Sequence, residues 1–466
     1  MKLTLIHPCV GRIPGKNYIR SWQMEPLAPA YLAALTPPDV EIAFWDDRME
    51  KIPYDEPTDL VAISVETYTA KRAYQIASEY RRRGVPVVMG GFHATLLPDE
   101  VAEYAETVVV GEAEQIFPNL IADFRNGSMQ PLYRAEGRAD LADIMPDRTI
   151  YRGKRYLKLG LVEAGRGCAF DCHFCAVTSY FGGTQTHRPI PQIVREIEAL
   201  KSSKSLFFFV DDNTVSDPGW AKELYRALLP LRIRWVSQAS ITATYDEELL
   251  RLMRDSGCQG VLIGFESLNP DNLIDMNKRF NLARGGFEPA LARLKQYGLR
   301  LYATFIFGYE GDTLESFRET VDFCIRHRIY MAAFNHLTPF PGTPLYRQLE
   351  EEGRLRFKKW WLDDRYRYGE APFHANISHE IIQRECLKAR KRFYAIPSIA
   401  RRMFDRTNAG SFYMLHIYWF INLLLRKEAR QRENYPLGDI GFEGPLLAVR
   451  RPTPTPRESA QPLSAT

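Results

Sequence analysis

The sequence lacks the features that define several familiar protein classes. No apolar run reaches the roughly 20 positions that a membrane-spanning helix needs, and the nearest approach, residues 412–425, is interrupted by His416 and Asn422. No Gly-x-Gly-x-x-Gly pattern opens a helix in the first half of the chain, so a nicotinamide or flavin dinucleotide site is not supported. The net charge of +4 over 466 residues gives no reason by itself to expect nucleic-acid binding.

Cysteine is also scarce, and its placement argues against a disulfide framework. The chain holds seven cysteines, an odd number. It opens with a short apolar run that ends at His7 and Pro8, too short for a signal peptide. We therefore expect a cytoplasmic protein with reduced thiols. Four cysteines are dispersed and are interpreted as packing residues: Cys9, Cys258, Cys324 and Cys386.

Short apolar runs alternate with helical patterns over residues 1–130, which predicts an α/β domain with a doubly wound parallel sheet, Rossmann-like in form. Helices are expected near residues 69–83 and 112–124. Ligands of such sheets bind beyond the carboxyl ends of the strands. The expected buried strands are residues 3–6, 42–45, 60–63, 85–88 and 108–110.

Small and hydroxyl residues follow three of these strands, where a large ligand could approach the backbone. Taken one at a time, these loops could be ordinary strand–helix turns. Together, in one sheet, they indicate a ligand crevice. The candidate residues are Ser64, Thr67 and Thr69 after the third strand, Gly90, Gly91 and His93 after the fourth, and Gly111 and Glu112 after the fifth.

A second series of strands and helices follows an irregular, polar linker over residues 131–155. Six consecutive repeats over residues 156–350 predict a partial (β/α)6 barrel of the TIM type, with its active site at the carboxyl ends of the strands. The expected strands are residues 159–164, 206–210, 234–240, 261–266, 301–307 and 330–337.

The remainder is expected to form a small helical C-terminal domain, residues 351–435, and a disordered tail rich in Pro, Ser and Thr, residues 436–466. The segment Ser411–Leu425 is almost uniformly apolar and is flanked by arginines on both sides. An interfacial helix that makes peripheral contact with anionic lipid has this pattern. A buried core helix has it too, and we favour the latter.

The sharpest feature of the sequence is the cluster of Cys168, Cys172 and Cys175 just after the first strand of the second series. Three thiolates can bind one iron–sulfur cluster and leave one iron of a cubane open to a small molecule. A structural zinc site would need a fourth ligand, and His173 is flanked by two of the cysteines. Inert buried thiols are the remaining alternative.

The spacing Cys-x3-Cys-x2-Cys, with aromatic Phe174 before the last cysteine, resembles the signature of radical S-adenosylmethionine enzymes. The resemblance implies a 4Fe-4S cluster whose open iron binds S-adenosylmethionine and releases a 5′-deoxyadenosyl radical. It also implies S-adenosylmethionine contacts at the strand ends, although each carboxylate could simply cap the next helix. The residues so implied are Phe174, Asp211, Asp212, Gln238, Ser240, Glu266 and Phe305.

The first domain resembles the cobalamin-binding module that precedes the barrel in one large subclass of these enzymes. The resemblance rests on the three strand-end loops, whose eight candidate residues are then implied to contact cobalamin. The Asp-x-His-x-x-Gly motif that supplies a cobalt-ligating histidine is missing from this domain. His93 is therefore interpreted as part of a strand-end loop near the corrin rather than as a cobalt ligand.

The resemblance implies a cobalamin-dependent methyltransferase that acts on an unactivated carbon of a small-molecule, lipid or tetrapyrrole substrate. One S-adenosylmethionine would methylate cobalamin and another would yield the radical. The expected electron donor is flavodoxin or ferredoxin. The alternatives are a radical cyclase, oxygenase or rearrangement enzyme on the same scaffold, and a non-catalytic cobalamin carrier or sensor, which would not need the three cysteines.

Overall fold

The computed structural model describes residues 1–449. Its N-terminal domain contains a parallel sheet of six strands, in the order β3-β1-β4-β5-β6-β7. The order reverses between β1 and β4, and that switch point is where open α/β sheets bind ligands. The strands of this region are β1 (Lys2–His7), β2 (Gly11–Arg12), β3 (Glu41–Asp46), β4 (Leu60–Ser64), β5 (Val87–Gly90), β6 (Thr107–Val110) and β7 (Leu132–Arg134).

Helices cover both faces of this sheet, and each face has its own apolar core. One core centres on Tyr74 and Ala77 of α2, and the other on Ala30 of α1 and Leu120 of α5. The doubly wound sheet predicted from the sequence is confirmed. The helices are α1 (Leu27–Leu35), α2 (Ala70–Arg82), α3 (Phe92–Leu96), α4 (Pro98–Val101) and α5 (Phe117–Arg125).

Strand β7 lies inside the segment predicted to be an irregular linker, so that prediction is wrong at residues 132–134. The strand is only three residues long, and Leu132 and Arg134 are exposed while Tyr133 is half-buried. An edge strand with so little burial leaves no apolar run in the sequence. The linker proper therefore begins after Arg134.

The second domain is a partial barrel of six parallel strands, in the order β15-β14-β13-β12-β11-β8, as predicted. The strand β9 (Gly165–Gly167) pairs antiparallel with β10 (Gln185–His187) beside it. The barrel strands are β8 (Leu159–Val162), β11 (Leu206–Phe209), β12 (Trp235–Ala239), β13 (Cys258–Glu266), β14 (Arg300–Phe307) and β15 (Met331–His336).

Alternate side chains of the barrel strands pack against the surrounding helices. Phe265 stacks on Phe287 of α11 with ring centroids 4.3 Å apart, and Phe307 stacks on Phe317 of α12 at 4.2 Å. The intervening side chains, such as Thr304, are half-buried on the opposite face. The helices are α6 (Ala176–Phe181), α7 (Ile190–Leu200), α8 (Pro218–Leu228), α9 (Glu247–Asp255), α10 (Pro270–Asp275), α11 (Phe287–Gln296) and α12 (Leu314–Arg326).

The C-terminal region is mainly helical and packs on both domains. Buried Arg402 donates to the carbonyls of Ile329 and Tyr330 and to Asn422 Oδ1, which ties three segments together. Trp360 and Trp361 are buried in the core of the N-terminal domain. The elements are α13 (Pro344–Glu351), β16 (Arg367–Tyr368), α14 (His379–Phe393), α15 (Ile396–Met403), α16 (Phe412–Gln431), β17 (Tyr435–Pro436) and β18 (Gly438–Asp439).

Helix α16 is neither fully buried nor fully exposed. Met414, Tyr418 and Asn422 pack against the protein, whereas Phe412 and Phe420 are 77% and 63% exposed. The favoured prediction of a buried core helix is therefore wrong for one face of α16. No helix among residues 1–449 is long and apolar enough to cross a membrane.

Residues 436–449 were predicted as disordered tail, and the structure shows them ordered instead. Strand β18 pairs with β2, and Gln75 bonds to both the carbonyl and the N–H of Asp439. Buried Tyr435 and Leu437 anchor the segment, which a composition argument does not reveal. The rest of the predicted tail, residues 450–466, lies outside the described residues.

Short 3₁₀-helices connect many of these elements. Thr67–Thr69 follows β4 directly, and Ala113–Gln115 follows β6 at the same edge of the sheet. The others are Arg20–Trp22, Arg148–Tyr151, Leu229–Leu231, Ile241–Tyr245 and Arg279–Gly285.

Candidate functional site

The three clustered cysteines lie on one loop between β9 and α6, at the carboxyl ends of the barrel strands. Cys172 is buried, and Cys168 and Cys175 are half-buried. Burial raises the pKa of Cys172 to about 12, although the cation of Lys278 opposes that shift. Because burial disfavours the thiolate form here, a bound metal would supply the charge that ionises these thiols.

The three thiols of this loop are the donor type that iron–sulfur clusters use. In a cubane cluster each cysteine binds a different iron, so three thiols leave one iron open to a small molecule. Asn213, at the end of β11, donates to Cys168 Sγ at 3.5 Å. The donor set therefore fits an iron–sulfur cluster.

Phe170 and Phe174 hold the cysteine loop against the barrel. Phe170 stacks on Phe280 at 4.2 Å between centroids, and Phe174 packs on the barrel core. The backbone N–H of His173 donates to the carbonyl of Met276. The loop is therefore held by contacts with the segment that connects β13 to α11, rather than by secondary structure of its own.

The two aspartates after β11 differ in what they contact. Asp211 accepts hydrogen bonds from the N–H of Ala164, at 3.1 Å, and of Gly165. Burial raises the pKa of Asp211 to about 8, and those two backbone bonds oppose the rise. Asp212 accepts from the N–H of Gly167 at 2.8 Å and also lines a cavity between the two domains. Asp211 therefore holds the turn after β8, and only Asp212 faces open space.

Gln238 and Ser240 lie at the end of β12, as predicted, and bond mainly to their neighbours. Gln238 Nε2 donates to the carbonyl of Asp211 at 3.3 Å. The N–H of Ser240 donates to Asn213 Oδ1 at 3.1 Å, and its hydroxyl is 2.5 Å from that of Thr242. These bonds align the ends of β11 and β12 beside the cysteine loop.

Phe305 does not reach the barrel interior, contrary to the sequence-based expectation. Its ring is fully buried in the helix-facing layer, with centroids 6.0 Å from those of both Phe265 and Phe334. Its neighbours Thr304 and Ile306 lie on the opposite face of β14. The motif located the strand end correctly, but it did not settle which side chains face inward.

Glu266 and Lys278 form a buried ion pair beside the cysteines that sequence reasoning missed. Lys278 Nζ lies 2.9 Å from Glu266 Oε1 and 3.2 Å from the carbonyl of Gly264. Burial alone would lower the pKa of Lys278, but Glu266 and Cys172 raise it above its ordinary value. Glu266 has a φ of 64°, a strained conformation of the kind that gathers at functional sites. Lys278 lies in an irregular segment and belongs to no recognisable motif, so the sequence alone did not reveal its role.

Two cavities lie between the N-terminal domain and the barrel. We name them the tail cavity, which has a volume of about 330 Å³, and the upper cavity, which has a volume of about 490 Å³. Both are lined by Glu66 and Phe92. Ser64, Gly90, Gly91, Gly111, Glu112, Tyr180 and Asp212 line the tail cavity, and His7, Thr67, Thr69, Trp22, Ala176 and Phe340 line the upper one.

Glu66 lies in the loop after β4 and was not among the residues predicted from the sequence, yet it is the carboxylate that the two cavities share. Its side chain is accessible to solvent only through those cavities, where protein atoms surround the carboxylate. Burial within the fold and the nearby charge of Asp212 raise the pKa of Glu66 to about 7. A carboxylate that titrates near neutrality can accept or donate a proton.

The glycines of the crevice allow close approach of backbone segments. A Cβ on Gly91 would lie 3.0 Å from both the nitrogen and the oxygen of Val65, and its φ is 99°. Gly111, with a φ of 89°, donates its N–H to Thr95 Oγ1 at 2.9 Å. The strand-end loops are therefore packed together, and the cavities open above them, as a large planar ligand would require.

His93 lies inside the N-terminal domain and lines neither cavity. Its Nδ1 is 3.2 Å from Thr67 Oγ1, and its Nε2 is 3.1 Å from Glu100 Oε1. The indole N–H of Trp361 donates to the same glutamate oxygen at 2.8 Å. The expectation that His93 lies near the corrin is therefore not met, because these partners hold the ring in the core.

Arg166 joins the two domains through buried carboxylates. Its guanidinium lies 3.1 Å from Glu112, 2.7 Å from Glu114 and 2.9 Å from Glu163. Arg138 also contacts Glu112 at 2.8 Å. Glu112, predicted as a ligand contact, therefore has two arginine partners at the edge of the tail cavity.

Comparison with known proteins agrees with this architecture. The Radical SAM superfamily model matches residues 162–324, and the B12 binding domain model matches residues 30–121. The chain is 31% identical over 417 residues to bacteriochlorophyllide d C-12(1)-methyltransferase of Chlorobaculum tepidum, covering 87% of this chain and 89% of the relative. This chain belongs to the cobalamin-binding radical S-adenosylmethionine methyltransferases.

Further matches support the same assignment. Bacteriochlorophyllide d C-8(2)-methyltransferase of the same organism is 31% identical over 72% of this chain and 78% of the relative. The solved structure of the radical S-adenosylmethionine methyltransferase TsrM from Kitasatospora setae, with cobalamin and a [4Fe-4S] cluster bound, matches with a TM-score of 0.66 at 17% identity. That match covers 92% of this chain and 99% of the other, and it shows the shared fold.

As a member of this family the protein is an enzyme that uses a 4Fe-4S cluster, S-adenosylmethionine and cobalamin. The predictions of fold class, enzyme class and cofactors are confirmed. The hypothesis of a non-catalytic cobalamin carrier is not supported, because a carrier does not need the radical S-adenosylmethionine domain.

Proposed function

We propose that the protein transfers a methyl group to a peripheral carbon of a tetrapyrrole acid. The observation that carries the proposal is the pair of cavities between the carboxyl ends of both sheets, with Glu66 on one side and Asp212 and Ala176 on the other. The names of the two similar methyltransferases, which act on bacteriochlorophyllide d, supply the substrate class.

The cofactors would supply radical generation and a transferable methyl group, and the chain would supply their positions. We assign cluster binding to Cys168, Cys172 and Cys175. We assign S-adenosylmethionine contacts to Phe174, Asp212, Gln238, Ser240 and Glu266, with Lys278 holding Glu266 in place. We assign cobalamin contacts to Ser64, Thr67, Thr69, Gly90, Gly91, Gly111 and Glu112, all close to the two cavities. We assign no ligand contact to Asp211, His93 or Phe305. These residues pack against the ligand-binding residues or their strands instead.

The decisive experiment is anaerobic turnover of reconstituted enzyme with S-adenosylmethionine, reductant, hydroxocobalamin and chlorophyllide a. We expect release of 5′-deoxyadenosine and of S-adenosylhomocysteine, together with a macrocycle that has gained one methyl group by mass spectrometry. Release of 5′-deoxyadenosine with a macrocycle that gains oxygen or a ring, and no methyl group, would replace the methylase proposal with the cyclase alternative.

The cluster assignment has its own control. Cys172→Ala should remove the cluster absorption and the paramagnetic signal of the reduced cluster, because one of three thiolate ligands is lost. The matched control is Cys386→Ala, which truncates a buried cysteine outside the loop, in α14, and should retain the cluster. Retention of the cluster in Cys172→Ala would contradict the assignment.

For partners, we propose flavodoxin or ferredoxin as the electron donor and an anionic lipid surface at the exposed face of α16. Phe412, Phe420 and Leu423 are exposed, and Lys427 and Arg430 continue the same helical stripe. Apolar side chains beside cations are typical of interfacial helices. The stripe is what supports the lipid proposal.

The lipid proposal predicts flotation of the enzyme with phosphatidylglycerol vesicles but not with phosphatidylcholine vesicles. Phe412→Ser with Phe420→Ser should reduce flotation, because both changes remove exposed apolar surface. Leu314→Ser, at a residue 58% exposed in α12, is the matched control and should float like the parent protein. Equal flotation of all three proteins would refute this contact.

A further inference from the structure

A groove rich in basic residues opens beside the upper cavity, where the N-terminal domain meets the linker and α16. It has a volume of about 590 Å³ and is lined by seven basic and three acidic residues. We name it the cationic groove. Its charged residues are Arg12, Lys16, Arg20, Arg48, Lys51, Arg155 and Lys427, with Asp47, Glu50 and Glu428.

The acidic residues of the groove are already engaged with other groups. Asp47 bonds to Arg12 and Arg72 at 2.8 Å each. Glu428 accepts from the N–H of Ser21 at 3.0 Å and contacts Arg432 at 2.8 Å. Glu50 contacts Lys154. These carboxylates therefore leave most of the groove's positive charge uncompensated.

Five of the basic side chains, in contrast, have no carboxylate within ion-pair distance among residues 1–449: Lys16, Arg20, Lys51, Arg155 and Lys427. Arg20 donates through Nη1 to the carbonyl of Arg155 at 3.0 Å, so these two residues lie together. Like charges in one cleft raise the local concentration of anions and repel one another unless an anion is bound.

The cationic groove adjoins the apolar site. Tyr18 and Arg48 line both the groove and the upper cavity. The upper cavity is bordered by apolar and aromatic side chains that include Trp22, Phe92 and Phe340. One molecule could place an apolar body against Trp22 and Phe340 in the upper cavity, beside the cobalamin assigned to Thr67 and Thr69, and an acidic substituent in the groove.

We propose that the cationic groove binds a carboxylate side chain of the substrate, with Arg20 and Arg155 as the principal contacts. The proposal rests on the tetrapyrrole function above and adds the feature by which the substrate is recognised. Chlorophyllides are free acids with a propionate on an apolar macrocycle, which matches the two neighbouring environments. Guanidinium groups are suited to it because they bind carboxylates through two parallel hydrogen bonds.

The test compares chlorophyllide a with its propionate methyl ester, which has the same macrocycle without the negative charge. Equilibrium dialysis with the cluster- and cobalamin-loaded enzyme gives a dissociation constant for each. We expect Arg20→Gln with Arg155→Gln to weaken binding of the acid on the order of tenfold or more and to leave binding of the ester unchanged. High salt should weaken binding of the acid only.

The matched control is Arg251→Gln with Arg318→Gln, two exposed arginines on the outer helices α9 and α12. This variant should bind both macrocycles like the parent enzyme. If the acid and the ester bind the parent enzyme equally, or if the groove variant binds the acid as tightly as the control does, the groove proposal is wrong while the tetrapyrrole function stands.

The groove can also be tested if the tetrapyrrole function is wrong. If neither macrocycle binds the parent enzyme, the tetrapyrrole function fails, and calorimetry with inorganic pyrophosphate then tests the groove alone. Pyrophosphate binding that disappears in Arg20→Gln with Arg155→Gln would retain the groove as an anion site. Absence of pyrophosphate binding to the parent enzyme would overturn it.

Discussion

Gly264 sets the position of the Glu266 carboxylate. A Cβ at residue 264 would lie 1.9 Å from Glu266 Oε1 and 2.9 Å from Lys278 Nζ. Gly264→Ala must therefore displace the buried ion pair, and we expect S-adenosylmethionine binding to weaken on the order of tenfold. Equilibrium dialysis with labelled S-adenosylmethionine measures this.

Gly219→Ala is the control for that experiment. Its Cβ would meet only Asp217 Oδ1, at 3.3 Å, on the outer helix α8. It should bind S-adenosylmethionine normally. If Gly264→Ala also binds S-adenosylmethionine normally, Glu266 is not part of the binding site.

Glu66 gives the unliganded protein a predictable pH dependence. Its pKa is raised from 4.5 to about 7 in the folded state, so the folded state holds a proton that the unfolded state has lost in this window. The contribution of Glu66 to stability therefore falls as the pH rises from about 4.5 to about 7 and is constant above.

Thermal unfolding of the parent protein and of Glu66→Gln across that pH range checks this sign. The variant has no titrating carboxyl at residue 66. Its Tm should therefore rise relative to that of the parent as the pH rises from 5 to 7. A constant difference in Tm across the range would contradict the shifted pKa.

Residue-level prediction from sequence succeeded where the chemistry is local. The spacing of Cys168, Cys172 and Cys175 is carried by eight consecutive residues, and it led to the family. Lys278 could not be found this way, since only the fold brings it to Glu266. Phe305 was assigned wrongly because a strand of alternating apolar residues does not show which face is inside.

At the scale of elements, the segment 436–449 forms a strap across α2. Besides the two bonds from Gln75 to Asp439, Leu447 donates its N–H to Ser78 Oγ at 2.9 Å, and Arg82 donates to the carbonyl of Pro445 at 2.8 Å. Gln75→Ala removes two of these bonds from a mostly buried site. We expect the free energy of opening of the strap to fall by about 1–3 kcal/mol.

Amide hydrogen exchange of residues 436–449 measures that loss directly. Exchange should accelerate in the strap of Gln75→Ala while the barrel strands exchange as before. Gln348→Ala, an exposed change in α13, is the matched control. Equal exchange of the strap in both variants would mean that the two Gln75 bonds do not contribute to holding it.

Long periodic elements were predictable from sequence, and short ones were not. Helix α2 and the six barrel strands have apolar patterns that decide their class. Strands β7, β17 and β18 have two or three residues each, and their existence depends on neighbours distant in the chain. The exposed face of α16 was ambiguous because residues 412–425 are almost uniformly apolar, so their pattern did not show which face is buried.

At the scale of the whole molecule, Arg166 is one of the charged links between the domains, together with the pair of Lys204 and Glu25. Its side chain is 13% exposed, and Glu112 and Glu114 are 4% and 5% exposed. Arg166→Met would leave three buried carboxylates with too little compensation, at a cost of about 3–5 kcal/mol. We expect a clearly lower Tm and loss of cobalamin on gel filtration.

Arg318→Met is the control, because its partner Glu315 and Arg318 itself are 48% and 67% exposed. Exposed pairs contribute about 0–1 kcal/mol, so this variant should unfold like the parent protein. If Arg166→Met unfolds at the temperature of the control, the interface does not depend on this cation.

The pairing of β2 with β18 also has a consequence for synthesis. Residues at the two ends of the described chain must meet, so the ribosome releases the partner of Gly11 and Arg12 only after the barrel has been translated. The cationic groove is lined by segments from Cys9 to Tyr435, so it forms only after Tyr435 has left the ribosome. The substrate contact proposed for the groove therefore forms only after both domains have been translated and have had the opportunity to acquire their cofactors.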